Sequence, residues 1–403
     1  MGTALDAGTK GLRTVNSAII ALSSGWVMIY ADRLSISPVL NLIRQQFGLT
    51  FSGVSLVVSV YFLAYVGLTI PATIAAERWG YRKVMVSFFL LAAFSLGAAG
   101  VLGYSYYLLV LFMGLHGVGA GAYYPTAYRI SNAMVTNKSR GLISSLINSG
   151  MGFGTIAGLL IAGPVLKLFA SWQTMLILLS FPTMLVAFLL WKTTNEIPNE
   201  RKKNDKITQF YSVLLKNKSF VMLCAAMFCS LYGYWVILTW GPAFLQESRG
   251  LSILYSGAAT AIFSAIAIPS SITISHFSDR LGRKRIAMVI LPLAALTIFF
   301  MARSYSLLEV LLAIAGYGVI GKLTLDPIVI AWVGELVPQE QIGSALAMLN
   351  VAAMSSSILA PLITGLIADF TNSLAVGFYL GAAIVLLGFL FSAFAKETEK
   401  NAL

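Results

Sequence analysis

Glu77-Arg78-Trp79-Gly80-Tyr81-Arg82-Lys83 returns 202 residues later as Asp279-Arg280-Leu281-Gly282-Arg283-Lys284-Arg285. Each copy is an acid-Arg-x-Gly-x-basic-basic loop set between two long apolar runs. The same loop at the same place in each half marks a chain built from one half-module used twice. Working outward from the two loops, twelve apolar segments appear, at 16–40, 51–73, 83–103, 105–132, 141–167, 172–192, 218–245, 252–276, 285–303, 306–333, 343–368 and 373–395. At ~1.5 Å per residue each is long enough to cross a hydrocarbon core of ~30 Å. The expected fold is an all-α membrane protein with twelve transmembrane helices in two six-helix halves. Residues 1–192 form the N-terminal half, 193–217 a cytoplasmic linker and 218–403 the C-terminal half.

Composition agrees with that reading. Of 403 residues 58% are hydrophobic and only 10% charged, with a mean hydropathy of +0.84, too apolar for a soluble domain. A net charge of +12 suggests nucleic acid until its distribution is examined. Twenty Lys and Arg residues fall in the N-terminus, every second loop and the C-terminus, against four in the alternate loops. The lipid bilayer, not nucleic acid, is therefore the implied partner, and the positive-inside rule puts both termini and the linker in the cytoplasm. The expected location is the cell (inner) membrane, and the expected state a monomer. Residues 1–15 are polar and the first apolar run contains Asp32 and Arg33, which reads as a first span rather than a cleaved leader. Cys224 and Cys229 lie on one helix without facing each other, so no disulfide framework is implied. Asn137-Lys-Ser and Asn217-Lys-Ser match the glycosylation pattern but fall on the cytoplasmic side. No nucleotide-binding loop, metal cluster or nucleophile triad is present, so neither an enzyme nor a cofactor or metal is expected.

The two repeat loops resemble the signature of the major facilitator superfamily. Three further stretches narrow the likeness: Tyr30-Ala-Asp32-Arg33-Leu-Ser-Ile-Ser37; Gly117-x-x-x-Gly121-Ala-Tyr-Tyr-Pro125-x-x-x-Arg129 with Arg140-Gly141 and Asn148-Ser149-Gly150; and Trp240-Gly-Pro242-Ala-Phe-Leu245-x-x-x-Arg249-Gly250-Leu-Ser252. Together they are similar to the anion:cation symporter family over most of the chain. The resemblance implies a secondary transporter of organic anions such as sugar acids, sialic acid or phosphate esters, often with protons. It implies that helices 1, 4, 7 and 10 line a central cavity. The chain departs from the family in helix 4, where Met113 and Ala120 occupy the places of an Arg and of a Glu that takes part in proton coupling. Any coupling here must use other groups. The Gly-Pro-x-x-Gly-Gly element of drug-exporting antiporters is also missing, since helix 5 reads Gly158-Leu-Leu-Ile-Ala.

Ionisable groups inside hydrocarbon are costly and mark functional positions. They are Asp32 and Arg33 on helix 1, His116 and Arg129 on helix 4, and Lys322 and Asp326 on helix 10. Arg33 is the first candidate for an anionic substrate group, because guanidinium meets a carboxylate with two parallel hydrogen bonds. Lys322 offers a second positive point, or else pairs with Asp326 one turn on. Tyr30, His116, Tyr124, Asn148, Tyr234 and Trp235 complete the candidate substrate site, their polar groups suited to substrate hydroxyls and carboxylates. Asp32 and Asp326 are the candidate proton carriers, and Pro327 is expected to kink helix 10. Glu77, Arg78, Arg82, Asp279, Arg280 and Arg283 of the repeat loops, with Arg129, are candidate gating residues whose pairs form and break as the halves rock. Gly154-x-x-x-Gly158 has the spacing of close helix packing. The expected function is proton-coupled import of a small organic anion by alternating access, with export or facilitated passage of amphipathic metabolites or drugs as the alternative.

Overall fold

The computed structural model describes residues 2–134, 140–197, 213–338 and 342–396. The middle of the linker, with Lys203, the Asn137 sequon and Lys400 lie outside the described residues. The described chain is helical without strands: α1 (Gly2–Leu34), a 3-10 turn (Ser37–Val39), α2 (Leu40–Phe47), α3 (Phe51–Trp79), α4 (Tyr81–Leu102), α5 (Tyr106–Gly121), α6 (Tyr123–Met134), α7 (Arg140–Phe169), α8 (Trp172–Thr193), α9 (Lys218–Arg249), α10 (Ile253–Leu281), α11 (Arg283–Arg303), α12 (Leu307–Ile320), α13 (Lys322–Leu336), α14 (Ile342–Met354), α15 (Ser356–Thr371) and α16 (Leu374–Phe394). Twelve stretches of these are long and apolar enough to cross a membrane. Spans 1, 4, 10 and 11 are each made of two helices, broken after Leu34, at Ala122, at Gly321 and at Ser355.

The chain divides into two compact units, one of Met1–Val39 with Val60–Lys202, the other of Leu40–Ser59 with Lys203–Leu403. In the first, α1 packs on α7 and α8, and α4 packs on α5 and α8. In the second, α9 packs on α14, α15 and α16, and α11 packs on α12 and α16. The first span thus meets the fifth and sixth, and the third meets the fourth and sixth, in both units. One packing plan repeats, as the two loops foretold.

Glycines set the closest approaches. A Cβ on Gly150, Gly154 or Gly158 of α7 would stand 2.2, 2.3 and 2.6 Å from the carbonyl oxygens of Ser23, Val27 and Ala31 on α1. A four-residue step on both helices keeps this lane in register, the spacing at which small residues let membrane helices touch backbone to backbone. Gly117 and Gly121 of α5 do the same against the carbonyls of Tyr61 and Tyr65 on α3. Large apolar side chains occupy the outward faces. Phe94, Phe181 and Phe188 are 61%, 63% and 59% exposed, which is a lipid-facing surface and not a water-facing one.

Each repeat loop is tied to the last helix of its own unit. Glu196, just beyond α8, accepts hydrogen bonds from the backbone N–H of Arg82 (3.2 Å) and Lys83 (3.3 Å) at the start of α4, where a carboxylate also suits the helix dipole. The Arg82 guanidinium lies 3.8 Å over the Trp191 ring. In the second unit Lys284 donates to the carbonyls of Ala393 and Ala395, both at 2.7 Å. Arg283 bridges Asp279 at 3.0 Å and Glu335 at 2.5 Å, joining the loop to the end of α13.

The second unit also holds Leu40–Ser59 firmly. Arg44 pairs with Glu247 at 2.8 Å, and the Asn41 amide donates to the carbonyl of Ala243 at 3.2 Å. Asp369 at the end of α15 accepts from the backbone N–H of Phe51 (2.6 Å) and Ser52 (2.9 Å) and from the Ser52 hydroxyl (2.5 Å). A carboxylate from a distant helix therefore caps the first two N–H groups of α3, beside the Thr50 hydroxyl, which accepts from the Gly53 N–H at 3.1 Å.

Three substitutions test this packing. Gly154→Val should destabilise the protein by roughly 1–3 kcal/mol through overpacking, read as a lowered melting temperature in detergent. Gly67→Ala, where a Cβ meets nothing within 4 Å, should leave melting unchanged or raise it. Asp369→Ala should cost about 1–2 kcal/mol at the start of α3 and speed amide hydrogen exchange at Ser52 above that of mid-helix residues.

Candidate functional site

Span 1 stops being helical just where its charges lie. The Ser35 hydroxyl donates to the Asp32 carbonyl at 2.8 Å, closing the last turn of α1 before the 3-10 turn. Arg33 occupies that last turn, where a cation suits the carbonyl end of the helix. Its side chain is buried, with the guanidinium 3.5 Å over the Tyr30 ring and 5.5 Å from the centre of Phe62. Guanidinium stacked on an aromatic face keeps its in-plane N–H donors directed outward from the stack. Asp32, one residue back and ~100° around the helix, points instead at α8, where the Thr183 hydroxyl lies 2.8 Å from its Oδ2. Asp32 is fully buried, and its Oδ1 has no hydrogen-bond partner among the described residues.

An aromatic cluster continues from Arg33. The Trp26 ring contacts Tyr30 (6.0 Å between centres), Tyr123 (5.2 Å), Tyr124 (6.1 Å) and Tyr128 (6.5 Å). Tyr128 donates to the Asn148 side-chain oxygen on α7. Tyr123 is anchored by its hydroxyl to the Leu22 carbonyl at 2.5 Å. On the other side of Arg33, Phe62 touches Tyr61 at 5.0 Å, and Tyr61 lies 5.2 Å from the His116 ring. His116 is fully buried, its Nδ1 3.0 Å from the Ala92 carbonyl, so Nδ1 is the protonated nitrogen. Tyr30, Arg33, His116, Tyr124 and Asn148 thus form one continuous set in the first unit, while Asp32 turns from it toward Thr183. Arg129 stands apart: it is exposed, with its guanidinium 5.9 Å from the Tyr81 ring beside the first repeat loop.

In the second unit, Lys322 and Asp326 are an ion pair. The ammonium also lies 5.2 Å from the centre of the Tyr234 ring. Tyr234 packs edge-on against Trp235 (5.4 Å) and Phe263 (5.8 Å), and Phe263 against Tyr317 (5.9 Å). Span 10 is interrupted at Gly321, and Pro327 lies inside α13. Gly321 is extended there (φ −79°, ψ −166°), and a Cβ would stand 2.4 Å from the Tyr317 carbonyl oxygen. Absence of a side chain, more than the proline ring, lets the chain turn between the two helices. Glu335, a possible counter-charge to this region, is committed to Arg283.

The residues not foreseen are Trp26, Tyr61, Phe62, Thr183 and Glu196. Trp26, Tyr30 and Arg33 follow one another at i, i+4 and i+7, so helical periodicity carried a signal for Trp26. Thr183 is one of four hydroxyl residues on α8, with Thr174, Ser180 and Thr193, and nothing in its neighbours distinguishes it.

The chain is 24% identical to the hexuronate transporter of Bacillus subtilis (strain 168), over 92% of each protein. It is likewise 24% identical to a "probable sulfoacetate transporter" of Cupriavidus necator, over 92% of this chain and 91% of that one. Its fold superposes with a TM-score of 0.78 on the crystal structure of a bacterial homologue of the human lysosomal transporter Spinster, at 16% identity and 95% coverage of both chains. The Major Facilitator Superfamily model matches residues 22–321 and 223–402. Repeat loops, twelve spans, the shared packing plan and this match agree: the chain belongs to the Major Facilitator Superfamily and is a multi-pass membrane transporter, not an enzyme.

Proposed function

We propose that the protein imports a small organic anion, of carboxylate or sugar-acid type, together with protons. Two six-helix halves rock about the substrate, the repeat loops and Arg129 acting as the cytoplasmic gate. Arg33 receives the anionic group, Tyr30 holding its guanidinium flat, and Tyr124, Asn148 and His116 offer polar atoms to the rest of the substrate. The observation that carries the reading is the buried Arg33 at the break of span 1, next to a buried carboxyl. Relatives named for hexuronate and sulfoacetate, both organic anions, point to the same substrate class.

Asp32 is the proton carrier in this reading. Thr183 has one hydroxyl proton and two acceptors within reach, Asp32 at 2.8 Å and the Leu179 carbonyl at 2.9 Å. Both contacts are full hydrogen bonds at once when Asp32 carries a proton and donates it to Thr183, which then donates to Leu179. Loss of that proton leaves a carboxylate in a fully buried place with one shared donor, a state that burial disfavours. A proton on Asp32 therefore matches the packed state of helix 1 against α8, and its departure loosens that contact.

Arg33→Gln keeps a hydrogen-bonding side chain and removes the charge. It should weaken binding of sugar acids to the purified protein by roughly 1.5–3 kcal/mol, about tenfold to a hundredfold, measured by calorimetry. Asp32→Asn imitates the protonated acid and should bind and exchange substrate across proteoliposomes while accumulating less of it than the wild type under a pH gradient. Unchanged binding of every organic acid by Arg33→Gln, or wild-type accumulation by Asp32→Asn, contradicts this assignment.

A further inference from the structure

We infer that Lys322 and Asp326 form a second oxyanion site, opened by a proton: uptake of a proton by Asp326 releases the Lys322 ammonium to bind an anionic group of the substrate. The inference rests on the transport reading above and adds the stoichiometry of one coupling step.

The pair's position is the first observation. Lys322 is the sixteenth residue of the span Leu307–Leu336, close to its middle. Both side chains are mostly buried and keep some exposure, 13% and 25%. Charges at that depth are tolerated where they meet water, not acyl chains. The pair also makes little sense as a stabilising device. A Lys placed before an Asp at i,i+4 is the weaker order on a helix, and removing two charges from bulk water is costly.

The second observation is how incompletely the pair is satisfied. Asp326 gives one oxygen to the ammonium, while its Oδ1 is buried without a hydrogen-bond partner among the described residues. The helices packed against α13 do not supply another charge. Tyr234 from α9 and Tyr317 from α12 are the titratable groups facing the pair. The charged residues of α10 and α11 are confined to their ends, at Asp279, Arg280, Arg283, Lys284, Arg285 and Arg303, and α14 has none. Lys322 and Asp326 are therefore each other's main electrostatic partner, and what happens to one charge is felt by the other.

Charge balance then fixes the exchange. As an ion pair the site is neutral, and an incoming anion gains little from an ammonium already held by a carboxylate. When a proton from water binds Asp326, the O–H is neutral and Lys322 is left as an uncompensated cation. An oxyanion, carboxylate or sulfonate, now replaces Asp326 at the ammonium. The loaded site contains protonated Asp326 and a Lys322–anion pair, and is again neutral. One proton enters for each anionic charge bound, and neither the empty nor the loaded site carries net charge through the membrane. Gly321 beside Lys322 supplies the chain freedom that a shift of the ammonium from one partner to another requires.

The test is calorimetric titration of the full chain in detergent with D-glucuronate, D-glucarate and sulfoacetate, at several pH values and in buffers of different ionisation enthalpy, which counts protons taken up on binding. Asp326→Asn should take up one proton fewer per bound anion than the wild type, with a tenfold smaller change of affinity per pH unit. Lys322→Gln should weaken binding at least tenfold at every pH. The double variant Lys322→Gln/Asp326→Asn removes both charges together and should bind as weakly as Lys322→Gln, with the proton count of Asp326→Asn. An unchanged proton count in Asp326→Asn, or wild-type affinity and proton count in the double variant, overturns the inference while leaving the Arg33 site standing. Absence of binding of any of the three acids by the wild-type protein overturns both.

Discussion

A charge placed in hydrocarbon must find a partner or water, and a backbone placed there must satisfy its own hydrogen bonds. Most of what is distinctive in this chain follows from where it stretches those two rules. Twelve spans obey them with apolar helices. Four are interrupted, and two of the interruptions carry ionisable side chains: Asp32 and Arg33 end α1, and Lys322 begins α13 with Asp326 one turn on. Broken helices at membrane depth bring backbone polar groups and side-chain charges to the same place, which suits a substrate that must shed water on the way across.

Around these places the packing is made by absence of side chains. The glycine lane of α7 brings its backbone against α1 at Ser23, Val27 and Ala31, immediately before Asp32. Gly117 and Gly121 bring α5 equally close to α3 at Tyr61 and Tyr65, next to the His116 and Arg33 cluster. Lipid tails are as apolar as leucine, so this contact depends on van der Waals fit and not on exclusion of water. The tight lanes hold the polar cluster in place while leaving the charges themselves on less constrained, broken helices.

Much of this was legible in the sequence because a membrane makes hydropathy decisive. The repeat loops, the twelve spans, Gly154-x-x-x-Gly158 and the intramembrane charges are all local patterns. The break of span 10 at Gly321 was not foreseen beside the kink expected at Pro327, because proline announces itself and an extended glycine does not. Long-range placement was not legible. Leu40–Ser59 lies early in the chain yet belongs to the second unit, held by Glu247, Ala243 and Asp369, more than 200 residues away. Likewise, Thr183 and Glu196 act as partners of Asp32 and of the first repeat loop only through the tertiary fold.

The central claim is that an organic anion and protons cross together. Its most direct test is uptake of radiolabelled sugar acids into proteoliposomes containing the purified full chain, with and without an imposed pH gradient. The account predicts accumulation of at least one acid above its external concentration when the interior is alkaline. It predicts collapse of that accumulation with a protonophore, and no uptake of the corresponding neutral sugar. Equilibration that ignores the pH gradient, or equal uptake of the acid and the neutral sugar, would contradict it.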